Sequence, residues 1–548
     1  MRYIIVLLFV CKICIDLTAQ VPDSTFGVPL SFEGTTYFPG ITACDFEGRK
    51  DRAFSLLQLD DGKIMLAGYT RGSEGNDFAL VRLLPNGQYD ETAGPQGQVR
   101  LDLGFQNDSC LVASKYQSGQ ILMGGCVTLS GQSRYVNLLI RIDSDGNLDM
   151  SFGNNGQVIV DLDATHEMIT KILPQSDGKI IIAGNACYGP SFDFSDSTSV
   201  FVGRLFPDGQ TDSTFGVNGF IYSRYNQNCK VSLLGDILTD NNNRIVFTGA
   251  SYDWHTGSFQ GVDACDNNIE VCRYLPDGQD DISFGDNGKV EIPFSEGRAN
   301  ALNIDESGKI LIAGIVTHQL ESDPYYTFIA RLLPNGVPDS TFGIDGLVNK
   351  YIAGGFSASE PLGILRLNNR IILGYIDEPS GDHLIFGLIG FTNEGILDTT
   401  FGAFGVLSLN TWYFWTLYNI HSYSQIDSSS LFIAGYYRVF GHDNMMVIKI
   451  KLNDGTISTT EPDVQEFKIF PNPIFGDLLY LDLSSVKPAN NFHLSIWNIC
   501  GILDLSEDIN INEQPQVDVS RLTNGIYFVE LVAENTRFLS KLIIQRKP

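Results

Sequence analysis

Apolar residues along this chain come in short runs or in strict alternation, cut every few positions by Gly, Asp, Asn and Pro, with no helical period. That patterning predicts short strands joined by tight turns, and the same pieces keep returning. One phrase reads Arg, two or three apolar residues, Pro-Asp/Asn-Gly, then Asp-x-x-Phe-Gly. It stands as RIDSDGNLDMSFG from Arg141, RLFPDGQTDSTFG from Arg204, RYLPDGQDDISFG from Arg273 and RLLPNGVPDSTFG from Arg331. Weaker copies begin at Arg82 and Gly390, so successive copies lie 58 to 69 residues apart. A second phrase alternates with it: DGKIMLAG from Asp61, SGQILMGG from Ser118, DGKIIIAG from Asp177, NNRIVFTG from Asn242, SGKILIAG from Ser307, NNRIILGY from Asn368 and SSSLFIAG from Ser428.

Each unit therefore reads as four strands. One follows Phe-Gly, as in GKVEIPF from Gly288; the second precedes the Asp-Gly turn, as in MITKILPQ from Met168; the third is the IIIAG type; the fourth ends in Arg, as in YTFIARLL from Tyr326. The Phe position recurs at Phe26, Ala93 (where Phe is replaced), Phe152, Phe215, Phe284, Phe342 and Phe401, giving seven copies of both phrases. Seven four-strand units of about 60 residues predict an all-β fold, a seven-bladed β-propeller, rather than a solenoid with its shorter repeats and distinct caps. The ends are complementary: PDSTFGVPLSF from Pro22 opens in mid-unit, and the last unit stops after IKIKLNDG at Gly455. An N-terminal strand that completes the last sheet would close the ring and remove its free edge.

The repeated residues read as architecture. The Asp three before Phe can bond turn N–H groups, and the Phe can pack between neighbouring sheets. Strand connections alternate between the two ends of a sheet, so both stereotyped turns share one face and the irregular connections share the other. The irregular set includes Asn185 to Ser199 with Tyr188, Ser251 to Asn268 with Trp254 and His255, and the WYFW stretch from Trp412 to Trp415. Those loops are the candidate binding face.

The phrases resemble the delta-60 repeat family of bacterial β-propellers over residues 21–456, a resemblance that implies the fold and no agreed activity. Departures are Ala93 for Phe, Tyr375 for Gly and the Ser428-Ser429 turn. A linker follows at 457–466, and residues 467–548 read as a small β-sandwich with alternation in LLYLDL and IYFVEL. Pro471-Asn472-Pro473, Gly501, Gly525-Ile526-Tyr527 and Lys541 make this module resemble the type A sorting domain of the type IX secretion system of Bacteroidota. The resemblance implies the secretion machinery as partner, with release or attachment to surface lipopolysaccharide after export. The route is consistent with residues 1–20, whose Arg2, apolar run and Ala19 ending have the form of a signal peptide.

Composition narrows what remains. With 36 basic against 64 acidic side chains the formal net charge is −28, which disfavours nucleic acid. No stretch after the leader is apolar enough to span a membrane as a helix. Cys110 and Cys126 flank the Ser118-Gly119 turn almost symmetrically, so a disulfide between adjacent strands is expected there. Asp143, Asp145 and Asp149 resemble the front of a calcium loop without its terminal Glu; a turn is the preferred reading, calcium the lesser one, and no other cofactor is indicated. The seven His residues lie in separate segments, and no nucleophile elbow or phosphate loop occurs. Three functions stay open: a non-catalytic exported or cell-surface binding protein for a protein or glycan, which is preferred; an extracellular polysaccharide hydrolase or lyase; and a structural adhesion protein.

Overall fold

A computed structural model describes residues 23–546 apart from short breaks and the longer stretches 190–196, 224–230, 253–268, 317–325, 351–359, 378–384, 410–416, 452–463 and 483–490. Among the described residues seven four-stranded antiparallel units, here called sheets, follow one another along the chain, the second to fourth linked by the single parallel bridges Tyr135–His166 and Thr198–Val231. Sheet 1 is Asp51–Gln58, Ile64–Arg71, Asn76–Leu83 and Gln98–Leu101; sheet 2 is Asp108–Lys115, Ile121–Thr128, Tyr135–Ile142 and Gln157–Val160. Sheet 3 is His166–Pro174, Ile180–Cys187, Thr198–Leu205 and Phe220–Ser223; sheet 4 is Val231–Thr239, Ile245–Tyr252, Ile269–Tyr274 and Lys289–Ile292. Sheets 5 and 6 repeat the pattern from Gly297 to Lys350 and from Glu360 to Leu409.

Sheet 7 takes Leu417–Asp427, Ser430–Val439 and His442–Lys451 from the end of the repeats and its outer strand, Ile41–Cys44, from the beginning. The ring is thus laced shut by the N-terminal strand, but not by the segment directly after Phe26. A hairpin, Leu30–Phe32 with Thr35–Phe38, intervenes. In sheet 2 Gly156 donates its N–H to Phe152 only four residues earlier; in sheet 7 the same bond runs from Gly40 to Phe26 across that inserted hairpin.

Seven buried apolar clusters each lie between two consecutive sheets, and the one holding Phe26, Cys44, Phe432 and Met445 with Leu56, Leu66 and Val81 joins sheet 7 to sheet 1. This explains why the IIIAG strands are apolar throughout. Side chains alternate across a strand, so Ile181 enters the core towards sheet 4 and Ile182 the core towards sheet 3's other neighbour, sheet 2. Both faces are buried, so both need apolar residues.

The closing Gly of the IIIAG phrase answers a bulge. On the inner strand of sheets 1 to 6 one residue is extra, at Phe54, Leu111, Thr170, Gly235, Asn300 and Leu362. The bulge turns a carbonyl inward, and a Cβ on Gly184 would stand 1.9 Å from the Met168 oxygen. Tyr375 holds this position in sheet 6; its ring lies over Gly387 on the adjacent strand, where any Cβ would meet it at 2.1 Å.

The C-terminal module is a five-stranded sheet facing a three-stranded one around Ile474, Leu479, Leu494, Ile496, Val517, Val529 and Leu542. Its first strand, Val464–Glu466, runs parallel to Thr536–Ile544 and falls inside the stretch read as linker.

Candidate functional site

At the stereotyped end the Arg of the phrase and the Asp three before its Phe are consumed in a clasp between sheets. The phrase Arg donates Nε to the phrase Asp at 2.7–2.8 Å in Arg82–Asp90, Arg141–Asp149, Arg204–Asp212, Arg273–Asp281 and Arg331–Asp339. The same guanidinium donates to a backbone carbonyl in the turn of the next sheet, as Arg141 does to Pro207 at 2.6 Å and Arg204, Arg273 and Arg331 do to Pro276, Pro334 and Asn393. It also lies over the phrase Phe, 4.4–4.7 Å from the centroids of Phe152, Phe215, Phe284 and Phe342.

The Gly after Phe completes the clasp through its N–H, which donates to the next turn: Gly153 to Asp208, Gly216 to Asp277, Gly285 to Asn335, Gly343 to Glu394, and Gly27 to Asn86 across the closure. The Gly of that next turn must be bare. Gly209, at φ +90, faces the Phe152 ring, which a Cβ would approach to 3.1 Å. The Lys of the Asp-Gly-Lys or Ser-Gly-Lys turn adds a second cation to the phrase Asp, at 3.2 Å for Lys63–Asp90, 3.0 Å for Lys179–Asp212 and 2.8 Å for Lys309–Asp339.

The departures are compensated in place. Where Gly390 replaces the Arg, Arg370 reaches Asp398 at 2.6 Å; where Lys449 replaces it, Lys449 pairs with Asp23 at 3.4 Å. Where Ala93 replaces the Phe, Arg82 keeps the usual bond to the next turn's carbonyl, at Ser144, and adds a pair with Asp145 at 2.7 Å. Burial opposes the charge on Asp90, but Thr92, Lys63 and Arg82 outweigh it and hold the carboxyl at about 2. Ser151 and then Arg141 hold Asp149 at about 2 against burial.

These contacts account for the calcium-like triplet. Asp143 accepts the N–H groups of Asp145 and Asn147 at 2.9 Å, Asp145 meets Arg82, and Asp149 meets Arg141. The three carboxylates point to different partners, and among the described residues no group of three metal-ligating side chains converges.

The expected Cys110–Cys126 disulfide is corrected by the structure, which has both as buried free thiols. The spacing did place them opposite each other, but the Leu111 bulge shifts the register by one, pairing Cys110 with Gly125 and Ser109 with Cys126. A one-residue slip puts the two side chains on opposite faces. Burial pushes both thiols up to about 12, reinforced at Cys126 by the Asp108 charge.

The irregular end uses its acids differently. Glu167, wholly buried, accepts N–H bonds from Leu162 at 2.8 Å and Ala164 at 3.0 Å and the Asn137 amide at 2.8 Å, fixing the connection between sheets 2 and 3. Asp51 does the same for Phe46 at 2.8 Å. Asp108 occupies the equivalent place at the start of sheet 2. Burial raises the Glu167 carboxyl to about 7, and burial followed by the Asp77 charge raises Asp108 to about 7. Of the candidate binding-face residues, Tyr188 is 43% exposed at the end of Ile180–Cys187. Trp254, His255, Trp412 and Trp415 lie outside the described residues.

In the C-terminal module the motif residues gather at the end of the last strand. Asn472 accepts the Ile543 N–H at 2.9 Å, and Ile474 exchanges backbone bonds with Ile543 and Gln545 at 2.7 and 2.8 Å. Gly525 opens the strand paired with Ile544, and Tyr527 donates its hydroxyl to the Thr523 carbonyl at 2.9 Å. Lys541 sits opposite Phe528 in the same ladder. Sequence reading passed over Arg546, which donates to the Gly476, Leu522 and Val519 carbonyls, pairs with Asp477 at 3.1 Å and exchanges bonds with Asn524. No motif marked it; its position after the final strand was the only signal.

Residues 468–545 match the secretion system C-terminal sorting domain, and residues 59–92, 117–152, 175–215 and 306–342 match a β-propeller domain of unknown function, DUF5122. No curated protein matches the chain. Similar solved structures include a protein of unknown function from Dyadobacter fermentans, at 14% identity and TM-score 0.35 over 76% of this chain and 100% of that one. A glucose dehydrogenase is similar at 12% identity and TM-score 0.34, over 62% of this chain and 99% of that one. A xylan β-1,4-xylosidase from Bacillus halodurans is similar at 11% identity and TM-score 0.26, over 89% and 95%. The sorting domain marks a secreted or outer-surface protein that engages the secretion machinery. No helix of the described residues is long and apolar enough to cross a membrane.

Proposed function

Since the chain carries DUF5122 β-propeller repeats ahead of a secretion-system sorting domain, we propose that it is an exported, non-catalytic binding protein that presents its irregular face to a protein or glycan partner. One observation carries this reading: the phrase Arg and Asp groups of the stereotyped end are spent on the clasp, while the connections of the other end differ from sheet to sheet and expose aromatic side chains such as Tyr188. Among the described residues, the partly exposed positions of the inner strands supply no acid pair in support of a hydrolase. These positions carry Phe54, Leu111, Met168, Thr170, Leu233 and Asn300, and the carboxylate among them, Asp236, is held by Lys171 at 2.6 Å and the Leu302 N–H at 2.9 Å. Delivery by the sorting domain, with attachment to lipopolysaccharide or release, belongs to the same reading.

The test is a binding screen of mature protein against surface proteins and glycans, repeated with residues 189–197 replaced by a short Gly-Ser turn and with 253–268 likewise shortened. Loss of the captured partner with the fold intact supports the reading. Capture unchanged by both replacements, or turnover of a polysaccharide by the wild type, overturns it.

A further inference from the structure

The turns of the stereotyped end carry apolar side chains that the fold does not use. Among the described residues most of the propeller's large exposed apolar side chains lie there, including Ile282 at 78%, Val337 at 51%, Ile344 at 82% and Ile396 at 64% exposure. Isoleucine and valine are ordinarily among the most buried residue types. The repeat does not ask for them at these places. The residue after the phrase Asp is Ile282 in sheet 4 but Ser213 in sheet 3, and the residue after Phe-Gly is Ile344 in sheet 5 but Asn154 in sheet 2. The residue after the turn Gly is Val337 in sheet 5 and Ile396 in sheet 6, but Gln210 in sheet 3 and Gln279 in sheet 4. Sheets 2 to 5 make the same Arg–Asp clasp with either choice, so the apolar one serves something outside the fold.

Backbone bonds join the carriers into one surface across sheets 4 to 6. The loop bearing Ile282 donates the Gly285 N–H to the Asn335 carbonyl at 2.9 Å, two residues before Val337. The loop bearing Ile344 donates the Gly343 N–H to the Glu394 carbonyl at 2.8 Å, two residues before Ile396. Within sheet 5 the turn and the loop pack together, since a Cβ on Gly346 would stand 3.0 Å from Pro338. The same segments expose Asp277, Asp345 and Glu394, and among the described residues these carboxylates form no ion pair. Neighbouring cations are already engaged: Arg273 with Asp281, Arg331 and Lys309 with Asp339, Arg366 with Asp305 and Arg370 with Asp398. The surface is apolar with negative charge that nothing on it neutralises.

We propose that this face of sheets 4 to 6 docks a basic amphipathic segment of a partner protein, whose apolar side chains cover Ile282, Val337, Ile344 and Ile396 while its Lys or Arg groups meet Asp277, Asp345 and Glu394. Charge selects that occupant. A second copy of this chain, with its formal net charge of −28, would bring like charges together, and an anionic lipid surface would be repelled. The face lies at the opposite end from the irregular connections and works independently of them.

The experiment measures binding of a fluorescent amphipathic Leu–Lys peptide, and of its Ser–Lys counterpart of equal charge, to mature full-length protein at about 0.15 M salt. The quadruple variant Ile282→Ser/Val337→Gln/Ile344→Asn/Ile396→Gln takes at each position a residue that a sister sheet already carries, so the fold stands, and thermal unfolding confirms it. It should weaken the Leu–Lys peptide about tenfold or more. Asp277→Asn/Glu394→Gln should weaken it several-fold, by a margin that shrinks as salt rises. No binding by the wild type overturns the proposal, as does equal binding by the quadruple variant. Equal binding of the Leu–Lys and Ser–Lys peptides also overturns it, being the signature of diffuse attraction to an acidic protein. A peptide lost when residues 189–197 are replaced belongs to the irregular face instead. Sedimentation that shows wild-type self-association, abolished in the quadruple variant, assigns the face to a second copy and overturns the basic partner.

Discussion

The two ends of the propeller use carboxylates in opposite ways. At the stereotyped end Asp90, Asp149, Asp212, Asp281 and Asp339 each face one or two cations and hold their charge. At the irregular end Glu167, with two backbone N–H groups for company, and Asp108 are buried at the start of inner strands, and their carboxyls are raised to about 7. One end is an ion-pair lattice joining sheet to sheet; the other is a set of neutral-leaning caps beneath variable loops. The phrase Arg and Asp side chains at the stereotyped end are matched internally and have little left to offer a partner, which leaves exposed turn carboxylates such as Asp208 and Asp277.

The largest break in this contrast is Asp212→Ala. It strips a fully buried carboxylate from Arg204 and Lys179 together, and an orphaned buried cation typically costs about 3–5 kcal/mol. Urea unfolding should register that loss. Asp163→Ala, at the exposed rim, should stay within about 0.5 kcal/mol. Phe152→Ala follows at about 3 kcal/mol, since it empties the core between sheets 2 and 3 and removes the ring beneath Arg141. Equal effects of Asp212 and Asp163 would dissolve the distinction between the ends.

A pH titration separates them next. Glu167 binds its proton more tightly in the fold than in the unfolded chain, so between about pH 4.5 and 7 the fold holds more protons and loses stability as pH rises. Asp90 and Asp149 do the reverse: their contribution is present above pH 3.8, the ordinary value, and is lost as pH falls towards about 2. Glu167→Gln should flatten the decline between pH 4.5 and 7 by roughly 1–2 kcal/mol and leave the acid limb untouched. Steepening of that decline instead would show that Glu167 is charged and paired in the fold.

Much of this was legible before any coordinates. Periodicity and turn chemistry are local, so the four-strand unit, its repetition and the placing of Phe152 between sheets could be read directly. The clasp could not, because Arg141 and Pro207 are brought together only by the ring. The Cys110–Cys126 reading failed for a related reason. A single bulge at Leu111 leaves no mark in spacing, yet it moves Cys126 to the other face. Closure by complementary ends was visible, whereas the hairpin inserted between Phe26 and Gly40 displaced the closing strand to Ile41–Cys44. At the irregular end, length and composition marked the loops, but the placing of Tyr222 on the same side of sheet 3 as Phe201 follows from ladder register alone.

The smallest effect tests whether the clasp tolerates replacement. Between sheets 1 and 2 Ala93 provides no ring, and Arg82 turns to Asp145, whose side chain is 64% exposed. An exposed pair is worth at most about 1 kcal/mol, so Asp145→Ala should cost roughly 0.5–1 kcal/mol and the cost should shrink in high salt. Asp208→Ala, the same turn position one sheet on, should cost less, because there the Phe152 ring, which the first seam lacks, lies under Arg141. Ala93→Phe made on top of Asp145→Ala should recover the loss if the ring and the ion pair are alternative fastenings. Additive destabilisation would mean that this seam has been reshaped around the pair and no longer accepts the ring.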